Sequence, residues 1–406
     1  IRHVIEENLE KRYIRDLEYR LLNGSLSNDE ENEVAGMHGL NDAEIYRVVT
    51  FRMDAKKNME MKLYKLLSTM ALGGLTFAFA SCENADKSFP DYEGGTSVYF
   101  AYQYPIRTIV LGNDEIVDNS LDRQHKCAIY ATMGGAYGGR DITIDIAVDN
   151  TLCDNLFFED GTPVLPMPST YYTLAGDKIS YNGEHWGNVE VQLTDAFFAD
   201  EKALGCNYVI PVVMKGQTGA DRILTGTPLI EGDKPMRTNS DYWSVLPKDY
   251  VLYCVKYMNP WHASYLRRGI DKITENGTVT TSERHAQSVE KDEVCGITTR
   301  SLNTAVFPIS TTSTNGTTVN CDLLLTFNDD NECTITSGTT GVSATGSGKF
   351  VEDGEKNSWG NKDRDAIYLE YDVDFGFKQI ATKDTLVLQT RGTNKLEVFA
   401  PKYKAN

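Results

Sequence analysis

Residues 141–149, DITIDIAVD, decide the fold class of this chain. Apolar and polar residues alternate along the stretch, so that one face of an extended segment is apolar and the other is polar. The apolar face consists of Ile142, Ile144, Ile146 and Val148. This period of two is typical of a β-strand with one buried face, whereas apolar residues of a helix recur every three or four positions. The stretch therefore predicts a half-buried strand.

Further strand patterns lie on both sides of this stretch. They are rich in β-branched and aromatic residues, or they alternate as DITIDIAVD does. Turn-forming sequences separate them, including GGAYGG at residues 134–139 and NGEHWGN at residues 182–188. Short strands divided by turns predict an immunoglobulin-like β-sandwich over residues 96–258. The segments concerned are SVYFAYQY, HKCAIYATM, NVEVQL, NYVIPVVM and DYVLYCVKY.

A second β domain is predicted over residues 259–406, beginning at the sequence NPWH. Asn-Gly pairs at 276–277 and 315–316 are hairpin signals between strand-like arms. A series of further strands follows, which suits an antiparallel β-barrel or a second sandwich. The sequence does not choose between these two, and both make the mature chain an all-β protein. The further strands are LLLTF, CTITS, GKFV, AIYLEYDV, TLVLQT and KLEVFA.

The segment MKLYKLLSTMALGGLTFAFASC, residues 61–82, predicts a lipoprotein signal peptide. It combines two lysines, an apolar stretch of about 15 residues and small residues before a cysteine. The apolar stretch is short for a membrane-spanning helix, which needs about 20 residues. It resembles a bacterial lipobox, and we expect lipidation at Cys82. If residues 61–82 are a signal peptide, residues 1–60, which are helical in pattern, are an upstream extension of the reading frame. Residues 83–95 are then a polar tether. The alternatives are an internal apolar helix before a chance cysteine or, if residues 1–60 are translated, a marginal membrane anchor.

Composition narrows the class of ligand. With 40 Lys and Arg against 58 Asp and Glu, the net charge of −18 argues against nucleic-acid binding, which requires basic residues to neutralise phosphates. None of the eight cysteines forms a C-x-x-C pair, and no histidine pair has metal-ligand spacing. We therefore expect no metal and no cofactor. Cys254, inside the apolar run YVLYCVKY, is interpreted as a buried thiol, although disulfides remain open.

Motifs for catalysis are missing from the sequence. The glycine-rich GGAYGGRD and ATGSGKF do not fit a phosphate-binding loop and are interpreted as β-turns. The sequence contains no G-x-S-x-G nucleophile elbow. Asp141, Asp145 and Asp149 lie on the polar face of the predicted strand, where solvated carboxylates are ordinary. We expect no enzymatic activity, and a glycoside hydrolase with a scattered carboxylate pair is the alternative.

Aromatic residues supply the candidate binding site. There are 22 tyrosines and four tryptophans, and the tryptophans lie in turn-like or strand-end contexts. Aromatic rings stack on the C–H faces of sugars while nearby polar groups bond the hydroxyls. The segment EKNSWGNKDRD is dense in such groups. Each tryptophan can alternatively serve packing, and Trp261 suits a domain interface. The predicted carbohydrate-binding residues are Trp359, Asn357, Asp363, Arg364, Trp186 and Trp243.

Several phrases in combination resemble a known protein family. DITIDIAVDNTLCDN, MPSTYYTLAGDKI and VEVQLTDAFFAD resemble an N-terminal β-sandwich module of surface lipoproteins in gut Bacteroidetes, a module that also precedes the catalytic barrel of endo-N-acetylglucosaminidases. KYMNPWHASYLRRG and GEKNSWGNKDRDAIYLEY resemble an uncharacterised C-terminal β domain often paired with it. The catalytic barrel and its D-x-x-D-x-D-x-E signature are absent from this sequence.

The resemblance implies an outer-membrane, surface-exposed lipoprotein encoded in a polysaccharide-utilisation locus. Its implied partners are a glycan and a starch-utilisation-type porin with its binding lipoprotein. We therefore expect a non-catalytic protein that captures oligosaccharide or polysaccharide for uptake, with mannose-rich glycans among the candidates. The alternatives are the glycoside hydrolase and a structural or adhesin-like subunit that contacts protein.

Overall fold

The computed structural model describes residues 90–404, except residues 115, 233 and 393–395. Cys82, the predicted signal segment, the upstream extension and most of the tether lie outside these residues. No helix in the described part of the chain is long and apolar enough to cross a membrane. Two β domains follow each other, and the all-β prediction is confirmed.

The N-terminal domain contains short strands and a few single-turn helices. The helices are α1 (Asp195–Ala199) and four 3-10 turns, Asp122–Gln124, Asn150–Cys153, Glu201–Leu204 and Ser240–Tyr242. The strands are β1 (Ser97–Tyr99), β2 (Pro105–Val110), β3 (Lys126–Gly134), β4 (Thr143–Val148), β5 (Leu156–Phe157), β6 (Leu165–Pro166), β7 (Tyr172–Leu174), β8 (Lys178–Ser180), β9 (Trp186–Leu193), β10 (Tyr208–Thr218), β11 (Arg222–Ile223), β12 (Thr227–Pro228), β13 (Trp243–Val245) and β14 (Tyr250–Met258).

Most of these strands belong to one curled sheet. Its order is β11-β1-β3-β9-β8-β4-β10-β14-β2, with β6 and β7 attached to β10 and β9. A single register pair, Ser180 with Asn188, connects β8 to β9. That pair joins the two faces that an immunoglobulin-like sandwich keeps as separate sheets, so the sheet wraps around its core like half of a barrel. The predicted strand DITIDIAVD is β4, and Ile142, Ile144 and Ile146 are buried in that core.

A disulfide bond joins Cys206 to Cys254 and corrects the interpretation of Cys254 as a free thiol. Cys254 lies in β14, and its side chain belongs to a second cluster of buried residues on the other side of the sheet. Cys206 lies just before β10, the neighbour of β14, so the bond crosses adjacent strands. The pairing links positions 48 residues apart, a distance over which local sequence patterns carry no information.

The C-terminal domain has nine strands. They are β15 (Ala263–Glu275), β16 (Thr278–Arg284), β17 (Glu293–Thr299), β18 (Thr304–Thr312), β19 (Thr318–Phe327), β20 (Glu332–Ser337), β21 (Ser343–Glu355), β22 (Arg364–Asp374) and β23 (Lys378–Thr390). Two 3-10 turns, Val289–Lys291 and Trp359–Asn361, interrupt the connections.

Eight of these strands close into an antiparallel barrel. The order runs from β15 through β17 to β23, and β23 pairs with β15 again along twelve register positions, from Ser264–Thr390 to Glu275–Lys378. β16 is the ninth strand and pairs with β15 alone. Of the two predicted alternatives the barrel is therefore the observed one. The Asn276-Gly277 hairpin signal is confirmed, since both residues have positive φ at the β15–β16 turn.

The segment ATGSGKF lies inside strand β21, which corrects its interpretation as a turn. Gly346 and Gly348 lie very close to the neighbouring strand: a Cβ at Gly346 would be 2.4 Å from the carbonyl oxygen of Glu370. A Cβ at Gly348 would be 2.5 Å from Leu369. The glycines therefore serve close strand packing rather than a change of chain direction.

The junction between the domains is fixed by polar contacts. Asn259, fully buried, donates from its side-chain amide to the carbonyl oxygens of Ser301 and Thr304 at 3.0 Å. The chain then returns to the first domain after the barrel: β24 (Glu397–Val398) pairs with β2, and β25 (Lys402–Tyr403) pairs with β5. The end of the predicted second domain thus packs on the first, and the predicted strand KLEVFA is an edge strand of the N-terminal sheet.

Candidate functional site

The predicted residues of the EKNSWGNKDRD segment lie together at one end of the barrel. Trp359 is half-buried, and its indole N–H donates to the carbonyl oxygen of Leu388 at 3.1 Å. The guanidinium carbon of Arg364 lies 3.5 Å from the centre of the Trp359 ring, a cation–π contact that covers one face of the indole. One ring face and one edge of Trp359 are therefore occupied by the protein itself.

Asn357 and Asp363 form the polar part of the same segment. The Asp363 carboxylate accepts from the backbone N–H of Asn357 at 2.8 Å and from Lys356 Nζ at 3.0 Å. These hydrogen bonds, the backbone one first, hold the pKa of Asp363 below its usual range, so the carboxylate is charged at neutral pH. A cavity of about 230 Å³ beside Trp359 also contacts Asn113, Asp114 and Ile116 of the N-terminal domain. The structure thus brings four of the six predicted residues together.

Trp186 lies in the other domain, on the outer face of β9. The register pairs it with Thr132 of β3, which in turn pairs with Tyr99 of β1. Tyr130, two residues before Thr132, contacts Trp186 edge to face with ring centres 5.5 Å apart. Trp186 and Tyr130 are 50% and 51% exposed. We call Tyr99, Tyr130 and Trp186 the aromatic strip.

Polar groups surround the aromatic strip. Asn188 pairs with Tyr130 in the register, and Glu190 lies two residues further along the same face of β9. Glu190 forms a 3.2 Å ion pair with Lys126. On the other side, Lys248 Nζ lies 5.4 Å from the centre of the Tyr99 ring. The strip is therefore a partly exposed group of aromatic rings on the outer face of the sheet, with an amide, a carboxylate and ammonium groups beside it.

Trp243 and Trp261 are separate from both places. Trp243 is half-buried in β13, and its indole N–H donates to the carbonyl oxygen of Met236 at 3.0 Å. Trp261 is buried at the start of the barrel and stacks on Phe327 with ring centres 3.8 Å apart. Trp261 thus serves the barrel core next to the domain junction.

Comparison with known proteins identifies both domains. The domain of unknown function DUF5627 matches residues 260–392, and a family model described as an N-terminal domain matches residues 92–221. A crystal structure at 2.40 Å of a Bacteroides ovatus protein of unknown function is 50% identical in sequence. The match covers 77% of this chain and 100% of that chain, with a TM-score of 0.72. The chain belongs to the same family as that Bacteroides ovatus protein.

The predicted pairing of an N-terminal module with an uncharacterised C-terminal β domain is confirmed by these matches, and one member of the family comes from Bacteroides ovatus. A second structure, described as a candidate carbohydrate-binding protein of Bacteroides ovatus ATCC 8483, is 9% identical over 76% of this chain and 97% of that chain. Its TM-score of 0.22 is too low to support any inference. No curated protein matches the chain.

Sequence reasoning about this family member missed Tyr99 and Tyr130. The signal was present, because HKCAIYATM alternates: Ile129 and Ala131 are buried, so Tyr130 faces outward. The same argument applies to NVEVQL, whose outward residues are Asn188 and Glu190. What the sequence could not supply was the strand order β1-β3-β9, which places the two outward faces side by side.

Proposed function

We propose that this protein is a cell-surface lipoprotein that captures oligosaccharide or polysaccharide for uptake and does not cleave it. The observation that carries the proposal is the aromatic strip. Trp186 and Tyr130 are large, half-exposed rings on a rigid sheet, and an exposed aromatic pair of this kind loses little entropy when a sugar stacks on it. The neighbouring Asn188 and Glu190 can bond sugar hydroxyls.

The geometry gives less support to a glycoside hydrolase. Such an enzyme needs two carboxyl groups that flank one bond, one of them protonated at working pH. The two carboxylates closest to this description inside the barrel, Asp271 and Asp384, are both ion-paired with Arg284. Because one guanidinium group binds an oxygen of each carboxylate, these two groups are held by Arg284 rather than placed on either side of an open substrate site.

The proposed attachment to the cell surface rests on the lipobox-like segment that ends at Cys82. In this proposal the lipoprotein works in the outer membrane beside a starch-utilisation-type porin and its binding lipoprotein. A mannose-rich glycan is one candidate ligand. Capture next to a porin would raise the local glycan concentration at the pore, which is a mass-action benefit that requires no catalysis.

One feature favours a protein contact as a second candidate function. The β12–β13 arm exposes a group of apolar side chains, each at least 49% exposed. Exposed apolar groups clustered in this way mark interaction surfaces. They are Leu229, Ile230, Tyr242, Val245 and Leu246. Replacement of Ile230 and Leu246 by Glu should abolish co-purification with a porin partner and leave glycan binding unchanged, if both functions exist.

Calorimetric titration of the purified protein against mannan, high-mannose N-glycan and other polysaccharides tests the proposal, with product analysis of the same samples. We expect saturable binding without shortened products. Trp186→Ala should weaken binding about tenfold or more, because it removes the larger stacking face. Tyr242→Ala is the matched control, since it removes an equally exposed aromatic ring outside the strip.

Trp359→Ala examines the prediction for the C-terminal domain in the same titration. A loss of binding for Trp359→Ala, but not for Trp186→Ala, would move the site to the barrel end and overturn the assignment to the strip. Release of sugars would replace capture by hydrolysis. Absence of both binding and turnover on the whole panel would leave the protein contact as the better proposal.

A further inference from the structure

The barrel wall has a slot between β17 and β18. These strands share only two register pairs, Thr298–Val306 and Thr299–Ala305. The earlier part of β17 pairs with β15 on its other edge, and β16 replaces β17 as the partner of β15 from Gly269 onward. Among the described residues, the second half of β18 therefore pairs with no strand on the β17 side, and at its end Lys378 Nζ donates to the carbonyl oxygen of Thr312 at 2.9 Å. Every other neighbouring pair in the closed barrel shares at least five register positions.

A cavity of about 590 Å³ lies at this slot. Cys295 of β17 and Ile309 of β18 line its two sides, and Arg267, Arg284 and Tyr371 line its inner end. The volume is in the usual range for small-molecule sites in proteins, which runs from about 300 to 1,000 Å³. The slot is thus an opening into the barrel interior of a size that a small ligand can fill.

The inner end of the cavity is a largely buried network of charges, in which Asp384 has no exposed side-chain surface and Arg284 is 23% exposed. The fully buried Asp384 accepts from Arg267 Nη2 at 2.9 Å and from the Tyr371 hydroxyl at 2.8 Å. Arg284 bridges Asp384 and Asp271 through its two terminal nitrogens. Two arginines and two aspartates therefore hold each other in fixed positions, and their charges sum to zero.

Stability alone is a weak explanation for this network. Burying ion pairs costs desolvation that an apolar layer of equal volume avoids. The other half of the barrel interior shows that alternative: inward positions there are occupied by residues such as Tyr265, Phe307 and Leu386, all fully buried. The change from apolar to charged side chains coincides with the slot. Fixed donors and acceptors beside an opening are what a polar ligand requires.

The remaining walls define the chemistry of that ligand. Phe375 and Val373 give the cavity an apolar side. Glu293 and Asp322 add negative charge at its outer part, which disfavours an anionic ligand because the inner network is neutral. A neutral molecule with many hydroxyl groups and an apolar face satisfies both the network and the apolar side.

We propose that the barrel slot binds a small neutral sugar, with Arg267, Arg284 and Asp271 positioned for its hydroxyls and Phe375 for its C–H face. This site lies in a different domain from the aromatic strip and does not depend on glycan binding there. The proposal assigns the DUF5627 domain a ligand of its own, which a mono- or disaccharide can test directly.

The test is calorimetric titration of the purified protein with neutral mono- and disaccharides, such as mannose, N-acetylglucosamine and mannobiose. Ser310→Trp should weaken binding more than tenfold, because Ser310 is exposed and lines the cavity at the slot. Thr336→Trp, on the exposed outer face of β20, is the control and should leave binding unchanged. Arg284→Lys, which keeps the charge but loses the fork that joins Asp271 to Asp384, should also weaken binding more than tenfold, with urea unfolding as a check on folding.

Three outcomes would overturn the proposal. The first is absence of saturable binding for every neutral sugar tested. The second is binding that Ser310→Trp leaves intact and Trp186→Ala removes, which would assign the sugar to the aromatic strip. The third is tighter binding of galacturonate than of the neutral sugars, which would contradict the charge argument. If the Trp186→Ala variant no longer binds polysaccharide but still binds the monosaccharide, the result would support two separate sites.

Discussion

Arg391 donates a hydrogen bond from Nε to the backbone carbonyl oxygen of Asn113, 2.8 Å away and 278 residues earlier in the chain. Its Nη1 also donates to the carbonyl oxygens of Pro260 and His262. Arg391 directly follows the last barrel strand and is 7% exposed, so a single buried side chain connects the barrel, the junction and the N-terminal domain. The Arg391 guanidinium group is therefore a buried link between the two domains, in addition to the strand pairs that β24 and β25 form with the N-terminal domain.

Replacement of Arg391 by Met should destabilise the protein by about 2 kcal/mol or more, since a hydrogen bond that involves a charged group contributes about 1.5–3 kcal/mol net. Urea unfolding followed by tryptophan fluorescence measures the change. We expect the single transition to separate into two as the domains uncouple. Arg300→Ala is the control: Arg300 also contacts the other domain, through Glu201, but both side chains are exposed and the loss should stay below about 1 kcal/mol.

His262 makes stability depend on pH. Burial, and next the charge of Arg391, lower the pKa of His262 to about 4, whereas the unfolded chain titrates near 6.5. Between these values the unfolded state binds a proton that the folded state does not, so stability falls as pH decreases from about 6.5 to 4. The slope should reach up to about 1.4 kcal/mol per pH unit. His262→Gln should remove this part of the slope in urea titrations, and the same change at the exposed His285 should not.

The Cys206–Cys254 disulfide should contribute about 4 kcal/mol, the loop-closure entropy expected for a link across 48 residues. Double replacement by Ala, or reduction before unfolding, should lower the urea midpoint accordingly. The remaining thiols give an internal control. Burial raises the pKa of Cys127, Cys153 and Cys333 to about 12, so these thiols should resist alkylation in the folded protein. Equal midpoints for the oxidised and reduced protein would contradict a role of the bond in stability.

Asp384→Asn should cost about 3–5 kcal/mol, because it leaves Arg267 and Arg284 without their shared buried counter-ion. Glu370→Gln is a matched control on the adjacent strand. Glu370 pairs with Lys383 at 3.0 Å, but both side chains are about 70% exposed. Its removal should change the free energy of unfolding by less than about 1 kcal/mol. If the two variants lose similar free energies of unfolding, burial of the charge network does not increase its contribution to stability.

Local patterns predicted individual strands well, because alternation and turn residues act within a few positions. DITIDIAVD became β4, and Asn276-Gly277 became the β15–β16 turn. Barrel and sandwich could not be distinguished, since the deciding contact pairs Ser264 with Thr390 and nothing local encodes that register. The prediction of a turn at Gly346 and Gly348 was wrong for a related reason. These glycines let a neighbouring strand approach closely, and only the sheet order reveals which strand that is.

The candidate site was predictable to the extent that its residues are close in sequence. Asn357, Trp359, Asp363 and Arg364 lie together because they share one short connection. The aromatic strip draws on three strands, so only Trp186 was named in advance. The barrel slot could not be inferred, because it is defined by hydrogen bonds that β17 and β18 do not make within the described residues.

Closure of the barrel through β15 and β23 also determines when the domain can fold. The first barrel strand needs the last one as its partner, so the wall is incomplete until residue 390 has been synthesised. Until then β15 presents an unpaired edge, which is a template for wrong pairing between chains. Topologies dominated by such distant contacts fold on the order of milliseconds to seconds rather than microseconds. The barrel can therefore close only after its last strand has been translated, and a chain truncated before β23 keeps an open edge on β15.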